Sequence, residues 1–180
     1  MMMRDYPFKF NPEKAKEVLL YIVSHTPIPD RFHVCKVLYF ADRYHLEHFG
    51  RFVCGERYVA MKNGPVPSRT YDLIKAADRE EVPEISVDDW QITALRDANL
   101  NILSGSDIEA LDWAIEKFGN LSFGDLWRFS HDDAVWKTTT ADGELLKLPD
   151  QPKRIPMEFS GIVNDLSDSD ALIEYLQAYF

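Results

Sequence analysis

The sequence predicts a mainly α (α+β) fold, a single helical domain bearing one or two short antiparallel β-hairpins. Three observations predict it. The 180 residues are 46% apolar and 28% charged, the balance and size of one globular unit with a buried core. Capping residues repeatedly precede apolar residues at helical spacing. Between the helical stretches lie short runs rich in β-branched and aromatic residues, broken by turn formers such as Asn63-Gly64.

The elements follow in order. Asn11-Pro12-Glu13 offers an N-cap, a proline at the first helical position and an acid in the first turn. Ala15, Val18, Leu19 and Ile22 then fall on one face, Leu20, Tyr21 and Val23 widen it, and Pro27 and Pro29 end the helix. Asp30 caps a second helix to about His48, stopped by Gly50. Phe52–Cys54 and Tyr58–Met61 read as two strands around Gly55-Glu56. Gly64-Pro65-Val66-Pro67 reads as a stiff strap, because proline fixes its own φ and extends its predecessor. Ser68 is then the expected cap of a helix through Tyr71, Leu73 and Ile74. Trp90–Leu95 and Leu100–Leu103 read as a second hairpin around residues 96–99. Ser106 to Glu109 reads as a capping box opening a helix through Ile108, Leu111, Ile115 and Phe118. Ser122 begins a short helix with Leu126 and Trp127, and a last helix from about Asp168 aligns Leu172, Ile173, Leu176, Tyr179 and Phe180.

Charge narrows the function. The net charge is −10, but residues 1–80 hold 13 Lys and Arg against 10 Asp and Glu, while residues 81–180 hold 7 against 20. Nucleic-acid affinity comes largely from cations that release counterions, so the acidic half argues against that partner. The stretch 108–130 has helix-turn-helix proportions, yet its second helix carries Asp125 and a single cation, Arg128, which favours ordinary helix packing. No apolar run reaches the ~20 residues of a membrane span. The N-terminus lacks the apolar core of a secretory signal, and two cysteines are too few for a disulfide scaffold, so the expected location is cytoplasmic.

The search for chemistry returns little. Asp42, His45 and His48 climb one side of the second helix, and with Cys54 they are candidates for a metal-dependent hydrolase. The spacing matches no established metal motif, and a histidine near a helix C-terminus is favoured by the dipole alone. Cys35 reads as a buried small hydrophobe. His131 beside Asp132 and Asp133 could be an oriented base or a structural tie. With neither a nucleophile elbow nor a phosphate-cradling glycine loop, the reading is non-enzymatic, without metal or cofactor.

Two stretches carry a resemblance. His33-Val34-Cys35-Lys36-Val37-Leu38-Tyr39-Phe40-Ala41-Asp42-Arg43-Tyr44-His45-Leu46, followed by Tyr58 to Tyr71 with its Gly64-Pro65-Val66-Pro67, resembles the signature of the Panacea antitoxin domain. That family includes SocA-like antitoxins and phage-associated proteins of the GepA type. Ser130-His131 to Trp136 resembles its downstream Ser-His-x-x-x-x-Trp element, and Val37 replaces the usual leucine. The resemblance implies an antitoxin that neutralises a cognate toxin by direct contact, with a protease or chaperone as a further partner in some relatives. Another use of the module implied by it is a phage or prophage accessory protein. Residues 1–150 are read as the domain and 151–180 as an acidic helical extension packed on it or prolonging it. The candidate partner-binding residues are Lys36, Asp42, Tyr58, Gly64, Pro65, Val66, Pro67, Tyr71, His131 and Trp136. Each has a structural alternative, the tyrosines as core residues and the strap as the scaffold that aims the Tyr71 helix.

Overall fold

A computed structural model describes residues 6–180. The reading of the extreme N-terminus, residues 1–5, lies outside the described residues. The chain runs α1 (Pro12–His25), α2 (Arg31–Phe49), β1 (Tyr58–Met61), β2 (Gly64–Pro67), α3 (Ser68–Asp78), β3 (Ile85–Asp88) and β4 (Gln91–Ala94). It continues through α4 (Gly105–Phe118), α5 (Phe123–Asp132), α6 (Ala134–Thr140), the single turn α7 (Glu144–Lys147), β5 (Ile155–Pro156), α8 (Phe159–Asn164) and α9 (Ser169–Tyr179). The fold is mainly α, with a three-stranded antiparallel sheet in the order β2-β1-β5 and a separate β3-β4 hairpin.

α2 is the axis of the molecule. Asn11 caps α1 by accepting from the Lys14 N–H, and Asp30 caps α2 by accepting from the His33 N–H. Gly50 closes α2 at φ +74°, a conformation that costs glycine little. Val34, Cys35, Val37, Leu38 and Ala41 of α2 pack into a core shared with α1, α4 and both hairpins. Tyr39 and Leu46 face a second core with Tyr58, Trp136, Met157, Phe159, Ile162 and Leu172. Each fully buried aliphatic side chain contributes about 1.5–3 kcal/mol relative to exposure, so a helix buried on both sides is held firmly.

The hairpins differ from the sequence expectation. Phe52–Cys54 is not a strand. Its Val53 N–H donates to Asp42 and its Cys54 carbonyl accepts from the Asn11 N–H, so its backbone is satisfied by helix side chain and helix cap. The strand partner of Tyr58–Met61 is instead the strap itself, with Val59 opposite Val66 and Met61 opposite Gly64. Prolines are tolerated there because Ser68 N–H bonds Arg57 O, and antiparallel alternation then turns Pro65 and Pro67 away from β1. The second hairpin pairs Ile85–Asp88 with Gln91–Ala94, and Leu100–Leu103 is a loop. Residues 96–99 lie against α1 instead, where Glu17 accepts from Arg96 (2.7 Å) and from the Asn99 N–H (2.7 Å).

Caps shift in two places. The capping box of α4 is Ser104 with Asp107, and Ser106 is free to meet His45. Ser68 is the first residue of α3, not its cap, and its hydroxyl accepts from Arg154. At the far end β5 adds to β1, and α8 and α9 bury Ile162, Val163, Leu172 and Leu176. Tyr179 and Phe180 remain largely exposed, although the Phe180 ring meets Phe8 edge-on.

Candidate functional site

The signature residues of α2 point inward. Lys36 is 1% exposed, and its ammonium donates to the outward-turned Pro65 carbonyl at 2.7 Å. Its other close neighbour is the Phe32 ring, 5.1 Å from Nζ. Burial without a carboxylate pulls its pKa down to about 8. Gly64 sits against this contact at φ +100°, and a Cβ there would lie 2.7 Å from the Ser130 Cβ and 3.2 Å from Lys36 Cε. Only glycine lets the strap approach α2 and α5 so closely.

Asp42 is fully buried, accepting from the Val53 N–H and the Tyr58 hydroxyl, each at 2.7 Å. Burial pushes its pKa up to about 7, against the opposing effect of those two donors. The Tyr58 hydroxyl is driven well above its ordinary range, first by burial and then by Asp42, so it stays the donor of this bond. Lys36 and Asp42 therefore tie α2 to opposite ends of one hairpin.

The turn of that hairpin is held from α5 and α6. His131 stacks on Trp127 (centroids 3.6 Å), and its ring nitrogens lie 2.8 Å from Trp127 O and 2.9 Å from Lys62 O. The Trp136 indole N–H donates to Met61 O at 2.9 Å. His131 thus ties its helix to the β1-β2 turn. Val66, Pro65 and Pro67 are buried, and Tyr71 is half-buried beneath Lys75.

Two buried acids that sequence reasoning passed over complete the frame. Glu56 accepts from the N–H groups of Arg57, Arg69 and Thr70 and from the Thr70 hydroxyl, capping α3 from across the loop. Asp107 receives Lys14 at 2.6 Å and Arg51 at 3.1 Å; burial pushes its pKa up, but Lys14 and Ser104 outweigh it and hold the carboxyl low. Beyond the capping box that joins Asp107 to Ser104, neither acid has a local signal, because Lys14 and Arg51 for Asp107, and Arg69 and Thr70 for Glu56, lie far along the chain.

The metal candidates diverge. Asp42 faces Tyr58, His45 bridges Arg51 O (2.7 Å) and Ser106 (3.0 Å), His48 stacks on Tyr44, and Cys54 is buried elsewhere. Among the described residues no three His, Cys, Asp or Glu side chains are placed to hold a metal ion. The buried Cys35 thiol is pushed up to about 12 by burial, which keeps it protonated and unreactive.

Residues 34–137 match the SocA-like antitoxin family, Panacea domain. The chain belongs to that family. The match begins inside α2 and ends just past Trp136, so it spans the ties of Lys36, Asp42, His131 and Trp136 to the hairpin. No curated protein and no solved structure matched the chain. Outside the matched Panacea region, α1 supplies much of the first core, and β5, α8 and α9 supply much of the second. Among the described residues no helix is long and apolar enough to cross a membrane.

Proposed function

We propose that this Panacea-domain chain is the antitoxin of a bacterial or prophage toxin–antitoxin pair, a cytoplasmic, non-enzymatic protein that neutralises its cognate toxin by direct contact. The observation that carries the reading is the family match over residues 34–137. Geometry supports it: the polar side chains of the signature are consumed by internal bonds to the hairpin, leaving no grouped nucleophile and base among them. In this reading the ten signature residues frame the binding surface, and their exposed neighbours make the contacts.

The test is growth of a host expressing the adjacent gene alone and then together with this chain. Arrested growth that this chain restores is the expected result. Growth unaffected in both cases would remove the antitoxin reading. Rescue that disappears in a protease-deficient host would make the chain an adaptor that delivers its toxin for degradation.

A further inference from the structure

α2 also carries an aromatic stripe that continues the line of Lys36, partly within the stretch that resembles the family signature. Phe40, Tyr44 and His48, one per turn, floor a trough of about 340 Å³ between Trp113 of α4 and the Asp165–Ser167 turn after α8. The rings form two stacks, His48 on Tyr44 (3.9 Å between centroids) with Tyr44 on Trp113 (4.7 Å), and Phe40 on Phe118 (4.0 Å), joined where Phe118 meets Trp113 edge-on. The volume is at the low end of ligand pockets, about 300–1,000 Å³, and suits one or two inserted side chains.

The charge around this trough is mostly negative, although Lys117 already stands 5.1 Å from the Trp113 ring. Arg43, the cation in its wall, is already matched by Asp133 (3.1 Å) and Asp165 (2.6 Å). Glu109 and Glu116 flank Trp113 one turn to either side, and Glu47 lies on the α2 edge. Glu109 accepts from the Tyr44 hydroxyl and Glu47 from the Ser167 N–H, and among the described residues no Lys or Arg pairs with any of the three. Aromatic faces bordered by unpaired carboxylates attract a cation, by ring quadrupole and by charge together. A second copy of this chain, at net −10, brings the wrong sign.

We propose that the trough is where the chain grips its toxin, seating an arginine or lysine from a basic, apolar-flanked segment of that protein. This assignment rests on the antitoxin reading and names its contact surface.

The experiment measures the affinity of the purified chain for the product of the adjacent gene, at low and high salt. The trough variant is Glu109→Lys with Glu116→Lys. The control is Glu80→Lys with Asp88→Lys, the same charge change on the β3-β4 side. A thermal melt checks each fold. If the trough pair melts early, Glu116→Lys alone replaces it, since that side chain makes no hydrogen bond. The expected result is about tenfold or more weakening by the trough variant, with the control within about twofold and the difference shrinking in salt. Equal weakening by both variants, or by neither while the parent chain binds, overturns the surface and leaves the antitoxin reading standing. A parent chain that does not bind overturns that reading itself. A dimer of the chain alone that the trough variant dissociates would assign the trough to self-association and overturn the proposal.

Discussion

Two sets of α2 side chains share the same helical turns but do opposite things. In the buried set Lys36 and Asp42 are sealed from water and bonded to the hairpin at 2.7 Å. In the other set Phe40, Tyr44 and His48 are ring surfaces only partly covered. A buried charge is expensive, so it persists where the geometry it enforces is needed, whereas a half-covered aromatic stripe has surface left to offer. In this chain the buried signature residues Lys36 and Asp42 hold the hairpin to α2 as a frame. The proposed contact falls to Phe40, Tyr44 and His48 beside them.

The contrast can be broken most forcefully at Gly64. Gly64→Val places a β-branched residue at φ +100° and into the Ser130 and Lys36 side chains. A loss of about 3 kcal/mol or more is expected from strain and overpacking together, read as a large fall in Tm by calorimetry. A melt unchanged from the parent chain would mean that the strap does not need its close approach.

Trp136→Phe is milder. It keeps a ring in the core but leaves the Met61 carbonyl without its indole donor. A loss of about 1–3 kcal/mol is expected in denaturant unfolding, the cost of an unsatisfied buried acceptor plus lost packing. Stability within error of the parent would show that the turn is held by His131 alone.

The buried set also titrates, and the other set should not reproduce its signature. Asp42 has a folded pKa raised to about 7 from the usual carboxylate value of about 4. Its contribution to stability is therefore full below about pH 4 and is lost as pH rises through 7. His45, held down to about 4 by burial, works in the opposite direction, its contribution being lost as pH falls through that value. The difference between parent and Asp42→Asn melts isolates the carboxyl. The variant should gain stability relative to the parent between about pH 4 and pH 7. A difference flat across that window would mean that Asp42 is solvated.

Much of the frame was legible because it is local. Asn11, Asp30 and Ser122 announce their helices within three residues, since an N-cap bonds the chain just ahead of it. Three things escaped sequence reasoning for one physical reason, that their partners are distant. Phe52–Cys54 was read as the strand partner of Tyr58–Met61, in place of the strap, because periodicity cannot say which run pairs with which. Glu56 gives no hint that it caps a helix beginning at Ser68, and Lys36 in isolation reads equally well as a solvated lysine. Short elements such as β5 and α8 owe their existence to docking on the second core, so they carry little pattern of their own. The aromatic trough went unread for a related reason. Phe40 and Tyr44 pass for core residues until the helices around them are placed.

The central claim is that frame and contact are separable on one helix, and one paired measurement tests it directly. Lys36→Met removes the strap's anchor, and Glu109→Lys with Glu116→Lys changes two exposed positions and removes the Tyr44–Glu109 bond. Melting temperature and affinity for the adjacent gene's product are measured on both variants. The account predicts a lowered melt with affinity within about twofold for Lys36→Met, measured where the protein is folded. It predicts a stability change within about 1.5 kcal/mol, the worth of the Tyr44–Glu109 bond, but at least about tenfold weaker binding for the glutamate pair. A folded Lys36→Met chain that no longer binds, beside a glutamate pair that binds as the parent does, would put the contact on the signature itself and contradict the account.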